Sequence, residues 1–168
     1  MTFRVLHVCT GNICRSPMAE HLMRAGLHER LGVDADRFVV ESAGTWGHTG
    51  SPMEPYALST LASYDVDGAA FSARELVAEH VVAADLILGA TREHRAAAVD
   101  ATALPTGDPV ERAKALVKAA AANRGLVPPD SARDDDLDDP YQAPASAFAT
   151  CGALVQSTLE GPLDLLAP

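Results

Sequence analysis

The chain has 168 residues, 48% of them apolar, and a net charge of −10 with histidine neutral. Such a length fits one folded domain with a sizeable core, and an acidic balance excludes nonspecific binding to nucleic acid or an acidic membrane surface, both of which need a basic footprint. No run reaches the ~20 apolar residues that span a bilayer, and the apolar start, broken by Thr10, Gly11 and Asn12, does not read as a signal peptide. Three cysteines without an export signal point to free thiols in a reducing, cytoplasmic compartment.

Phe3 to Val8 is a short apolar run and reads as a strand buried on both faces, the kind found inside parallel sheets. Ser16-Pro17 then predicts a helix start, with Ser as the cap and Pro at the first helical position. Met18, Leu22, Ala25 and Leu31 form its apolar stripe and Gly32 its end. RFVVES is a second strand and AGTWGHTGSP a loop. PYALSTLASYD and ARELVAEHVVAAD read as helices, DLILGA as a third strand, and a further helix is expected from about Thr91. VERAKALVKAAAANRG is a helix by propensity, LVPPDSARDDDLDDPYQAPAS a loop, and AFATCGALVQSTLEGPLDLL a closing helix. The alternation predicts an α/β fold with a parallel sheet and right-handed crossovers. A fourth strand belongs between roughly residues 99 and 110, where VDATALPTGDPV is a poor strand sequence; the stretch around 99–133 is atypical.

Ligands of such sheets sit at the carboxyl ends of strands, and CTGNICRSP, Cys9 to Pro17, occupies one. A strand, a Gly-containing loop and a helix N-terminus together make an anion cradle, because backbone N–H groups turn inward and the helix dipole adds positive potential. Gly11 permits unusual backbone angles and Asn12 tolerates the left-handed region. Arg15 at the far rim can grip two phosphate oxygens. The field that holds a phosphate also stabilises a thiolate on Cys9, which is then an in-line nucleophile at phosphorus. Ser16 is placed to hydrogen-bond the thiolate as it leaves. The phosphate-binding residues are therefore Thr10, Gly11, Asn12, Ile13, Cys14, Arg15 and Ser16. The bland reading is a buried strand-end Cys9 and a core Cys14. A zinc site is disfavoured, since no second cysteine pair completes it and the six histidines lack metal spacing; no metal is expected.

CTGNICRSP resembles the signature of low-molecular-weight protein tyrosine phosphatases, and ESAGTWG, AADLILGAT and DDPYQAP extend the similarity. The resemblance implies a three-layer α/β/α fold with a four-stranded parallel sheet in the order 2-1-3-4. It implies hydrolysis through a phosphocysteine with no cofactor. Its substrate is a phosphorylated protein or a small phosphomonoester. Carried across, Cys9 is the nucleophile, Arg15 binds phosphate, Asn12 and Ser16 stabilise the loop, and Ser42 buttresses Asn12.

Loss of the leaving group needs a proton donor. The family donor is the Asp of Asp-Pro-Tyr, which here is Asp139 before Pro140 and Tyr141. Crowding by Asp138 and the Asp134 to Asp136 run disfavours one more negative charge there. Asp108-Pro109 is the rival pair, though Asp108 reads more simply as a helix cap.

Flat apolar walls for an aryl ring come from Ile13, Trp46 and Tyr141. A sister branch with this fold hydrolyses phosphoarginine and carries Thr and Phe at the positions of Ile13 and Tyr141. These two residues favour phosphotyrosine, while Gln142 and GATREHR lean towards the other branch. Two further readings stay open. An arsenate reductase needs a relay of three cysteines, for which Cys151 has no neighbouring cysteine. A non-catalytic phosphate-binding module results if the atypical stretch displaces Asp139. Cys14 is expected to shield Cys9 through a reversible disulfide, and Cys151 to be core.

Overall fold

The computed structural model describes residues 2–90, 108–122 and 136–166. Three parallel strands lie in the order β2-β1-β3, with β1 at Phe3–Cys9, β2 at Phe38–Gly44 and β3 at Leu86–Gly89. Phe3 pairs with Phe38 and Cys9 with Gly44 along one edge of β1, and Val5 to Val8 pair with Leu86 to Gly89 along the other. The carboxyl ends of the strands therefore converge around Cys9. The expected fourth strand and the helix from Thr91 lie outside the described residues.

The central strand is apolar on both faces because both are covered. Phe3 and Val5 join a large core with Met18, Leu22 and Leu27 of α1 (Arg15–Leu31), Leu61 of α2 (Pro55–Ala62), and Phe148 and Leu163 of the last helix. Leu6 and Val8 point the other way, into a smaller cluster with Ala43, Leu76, Ala84 and Ile87. Helix α3 spans only Ala78–Ala83, shorter than its sequence pattern. The segment before it is held extended instead: Leu76 N–H donates to the Gly44 carbonyl, and Gly44 N–H to that of Arg74. Helix α4 covers Pro109–Ala122 and α5 Ala145–Leu166. Asp108 caps α4 by accepting from the amides of Val110 at 2.9 Å and Glu111 at 3.1 Å.

Helix α1 begins two residues earlier than Ser16-Pro17 predicts. Cys14 is at the cap without a side-chain cap bond, and Arg15 is the first helical residue. Ser16 does not cap because its hydroxyl is engaged elsewhere. Gly32 ends the helix at φ +54°, a conformation that favours glycine.

Candidate active site

Strand β1 ends and α1 begins on either side of a loop four of whose carbonyls are held by one neighbouring segment. The carbonyl of Cys9 accepts from Thr45 N–H, that of Thr10 from Trp46, that of Gly11 from His48 and that of Ile13 from Glu54, all at 2.9–3.0 Å. The donors belong to the 45–54 segment, which wraps the outside of the loop. Among the described residues, none of the loop, turn and cap bonds is donated by an amide from Thr10 to Ser16. With the carbonyls tied outward, these amides are left for the inside, beside the uncapped N-terminus of α1. An inward ring of N–H groups at a helix start is a cradle for an anion.

Asn12 is the residue that makes the turn. Its φ is +56°, whereas Gly11 lies outside the left-handed region. The value of Gly11 is close approach instead: a Cβ there would fall 3.0 Å from His48 Cδ2. Asn12 is fully buried and every polar atom of its side chain is used. Nδ2 donates to Ser16 Oγ at 2.9 Å and Ser42 Oγ at 2.8 Å, and Oδ1 accepts from Arg74 N–H at 2.9 Å. Ser42 in turn donates to Glu20 Oε2 at 2.5 Å. Glu20 is itself paired with Arg24 at 2.6 Å.

Cys9 is buried, with Sγ 3.0 Å from Ser16 Oγ. Arg15 is also buried, an expensive position for a charge unless it is met. Nη1 donates to the Leu137 carbonyl at 3.1 Å, Nη2 to Thr10 Oγ1 at 3.4 Å and to Asp139 Oδ2, and Nε has no partner. Asp139 Oδ1 accepts from Tyr141 N–H at 3.2 Å. The acidic neighbours foreseen from sequence are thus not the whole environment of Asp139, since a guanidinium meets the same carboxylate. Asp108 lies apart, paired with Arg37 at 2.5 Å. Its bond to Arg37, with the α4 amides, holds its carboxyl below the ordinary range.

Cys9, Thr10, Gly11, Ile13, Cys14, Arg15, Trp46, His48, Asp139 and Tyr141 enclose a cavity of about 310 Å³. Trp46 borders it and is 81% exposed as a residue. The ring that faces Tyr141 is that of His48, with centroids 6.4 Å apart and planes tilted by 50°. Reading the sequence assigns His48 no role, because a lone histidine without metal spacing carries no pattern. A larger cavity of about 390 Å³ lies between β3 and α5 and touches the site only through Arg15 and Ser16.

All three cysteines are free. Burial pushes the thiols of Cys14 and Cys151 up to about 12. Cys151, on α5, packs in the core rather than lining the cavity. Among the described residues, no group of three or more His, Cys, Asp or Glu is placed to hold a metal ion, and no helix is long and apolar enough to cross a membrane.

The model of the family described as low molecular weight phosphotyrosine protein phosphatase matches residues 4–167. A low molecular weight protein-tyrosine-phosphatase of Streptomyces coelicolor is 35% identical over 165 residues, covering 96% of this chain and 92% of the relative. The low molecular weight protein tyrosine phosphatase from T. tengcongensis superposes with a TM-score of 0.65 at 29% identity, over 98% of this chain and 97% of the other. The YwlE arginine phosphatase from Geobacillus stearothermophilus does so with a TM-score of 0.65 at 27% identity, over 98% and 90%. With its sheet order, its carbonyl-out loop and a family match across nearly its whole length, the chain belongs to the low molecular weight phosphotyrosine protein phosphatase family, whose members are cysteine-dependent enzymes.

Proposed function

We propose that the chain hydrolyses phosphotyrosine in protein substrates, in the cytoplasm, with Cys9, Arg15 and Asp139 as the reacting and charge-bearing groups. The observation that carries this reading is that all three line one cavity together with the loop whose carbonyls face outward. The inward amides and the Arg15 guanidinium bind the phosphoryl oxygens, with the unpartnered Nε as a further donor. The Cys9 thiolate attacks phosphorus in line, the P–O bond to the ring breaks, and Asp139 as the acid gives its proton to the departing oxygen. Water then attacks the phosphocysteine, Asp139 takes a proton from it, and the sulfur leaves as a thiolate that accepts from the Ser16 hydroxyl. Every step is completed by groups of this chain, the substrate and water.

Phosphotyrosine is preferred over phosphoarginine because Ile13 and Tyr141 both line the cavity and give it apolar and aromatic walls. Phosphoarginine is the second reading, supported by the likeness to YwlE. Buried cysteines at 14 and 151, each held protonated, disfavour a thiol relay. The cytoplasmic reading rests on the three free thiols.

Hydrolysis of p-nitrophenyl phosphate by wild type, Cys9→Ser and Asp139→Asn tests the mechanism. The expected result is no turnover for Cys9→Ser; an active Cys9→Ser protein overturns the covalent route. Phosphotyrosine and phosphoarginine peptides compared side by side decide the substrate.

A further inference from the structure

We infer that Glu54 and Asp138 form an acidic rim beside the Cys9 cavity, and that this rim selects phosphotyrosine segments carrying lysine or arginine next to the phosphorylated residue. The inference rests on the phosphotyrosine reading above and adds the sequence context of that substrate.

The cavity itself calls for an anion. Arg15 lines it, is buried, and has an Nε without a partner. Among the described residues that line the cavity, Arg15 is the only lysine or arginine, and Asp139 cancels its charge. Two carboxylates stand just outside this neutral pair. The Glu54 amide donates to the carbonyl of Ile13, a residue of the cavity wall, at 2.9 Å, and its carboxylate is held at the start of α2 by the Tyr56 amide at 2.7 Å. Burial first, then the charges of Asp139, Cys9 and Glu54, raise the Cys14 thiol, so Glu54 is within electrostatic reach of the wall. Asp138 is exposed and adjoins Asp139, with the two Cα atoms about 3.8 Å apart. Among the described residues neither Glu54 nor Asp138 is paired with a lysine or arginine, whereas Glu20, Glu41 and Asp108 each are.

Two uncompensated carboxylates beside a neutral ion pair make the entrance negative, in a chain that carries −10 overall. The phosphoryl dianion is met by the buried amides and Arg15, but the residues around it meet the rim. Flanking carboxylates are repelled there and flanking cations attracted. At physiological salt such charges act over about 8 Å, and an extended chain advances about 3.3 Å per residue. The rim therefore reads about two positions on either side of the phosphotyrosine. Its effect falls on association and on discrimination between partners, and so on kcat/KM.

The full-length chain is assayed on two phosphotyrosine peptides of equal length, one flanked on both sides by lysines and one by glutamates. Ionic strengths of about 0.01 M and about 1 M are used, at which charges reach about 30 Å and about 3 Å. The quantity read is the ratio of kcat/KM between the peptides, which cancels any loss common to both. Wild type is expected to favour the lysine peptide about tenfold at low salt and less than about twofold at high salt. Glu54→Gln and Asp138→Asn, made separately and together, should each lower the low-salt ratio, the double variant to about threefold or less. Glu29→Gln removes one exposed charge near the far end of α1, about 20 Å from Arg15 along the helix, and should leave the ratio unchanged. Equal turnover of the two peptides by wild type overturns the rim and leaves the phosphotyrosine reading standing. A ratio untouched by the rim variants, or lowered as much by Glu29→Gln, assigns the preference to net charge and overturns the rim too. A wild type that hydrolyses p-nitrophenyl phosphate but neither peptide overturns the phosphotyrosine reading and the rim with it.

Discussion

Asp139 and Arg15 form an ion pair across the mouth of the Cys9 loop, the guanidinium 5% exposed and the carboxylate 47%. Arg15 is thus held by Asp139, by the Leu137 carbonyl and by the Thr10 hydroxyl. A phosphate dianion that takes Nη2 has to displace the carboxylate, and this frees Asp139 at the moment the leaving group arrives. Asp139→Asn removes the competitor for Arg15 and, on the mechanism proposed above, the acid. Turnover of phosphotyrosine should fall about 10²- to 10³-fold, with a smaller loss for p-nitrophenyl phosphate, whose leaving group needs less help. The inhibition constant of inorganic phosphate should fall several-fold in the same variant. Weaker phosphate binding by Asp139→Asn speaks against the displacement.

Asn12 joins the loop to β2 and to the segment before α3 through three side-chain bonds, from a left-handed backbone. Asn12→Gly keeps the backbone and loses the bonds, while Asn12→Ala loses the bonds and strains the turn. Each lost bond removes about 1 kcal/mol, and an L-residue without a polar side chain adds about 1–2 kcal/mol in that region. Denaturant unfolding should therefore rank wild type above Asn12→Gly above Asn12→Ala. Both variants should lose kcat/KM, because the proposed reaction binds the phosphoryl group on the amides they misplace. If Asn12→Ala equals Asn12→Gly in stability, the positive φ carries no cost.

His7 lies buried in β1 with Nε2 3.4 Å from the Met23 sulfur, and burial lowers its pKa from 6.5 to about 4. The folded state therefore favours neutral imidazole. The contribution is complete above pH 6.5 and is lost as pH falls from 6.5 towards 4. Its full size is about 3 kcal/mol at 1.36 kcal/mol per pKa unit. Urea unfolding of wild type and His7→Leu at pH 7.5, 6 and 5 should show wild type losing stability relative to His7→Leu as the solution is acidified. Parallel curves exclude His7 as the source of the slope.

Two glycines in helices should respond oppositely to alanine. A Cβ at Gly161 meets nothing within 4 Å, while one at Gly26 falls 2.6 Å from Leu163 Cδ1, a side chain 1% exposed. Gly161→Ala gains helix propensity, but Pro162 follows it in the helix and disfavours a helical Cβ-bearing residue before its ring, so stability should rise by less than about 0.5 kcal/mol. Gly26→Ala should lower it by about 1–3 kcal/mol through overpacking between α1 and α5. Thermal unfolding of the pair checks the sign of each.

Much of the site was legible because its chemistry is local in sequence. Cys9, Arg15 and the loop between them are seven consecutive residues, and strand-loop-helix order is visible in the hydrophobic pattern. The parts that escaped depend on contacts across the chain. Nothing in AGTWGHTGSP shows that its amides hold the outside of the catalytic loop, since a main-chain donor has no residue type. His48 was passed over because a lone histidine carries no pattern, although it lines the same cavity as Trp46. Helix α3 was read too long because ARELV alternates plausibly on a helix, yet Glu75 bridges to Gly44 in extended form. The helix start was shifted by two because Ser16 caps nothing; its hydroxyl bonds Cys9 and Asn12.

The four carbonyls tied by residues 45–54 have a consequence for anyone transplanting this nonapeptide. Cut free, CTGNICRSP would keep its thiol and its guanidinium but lose the template that curls it, and a host scaffold would have to present four matching donors of its own. A defect in recipient loops would then look like a failed nucleophile, although the nucleophile had been copied faithfully.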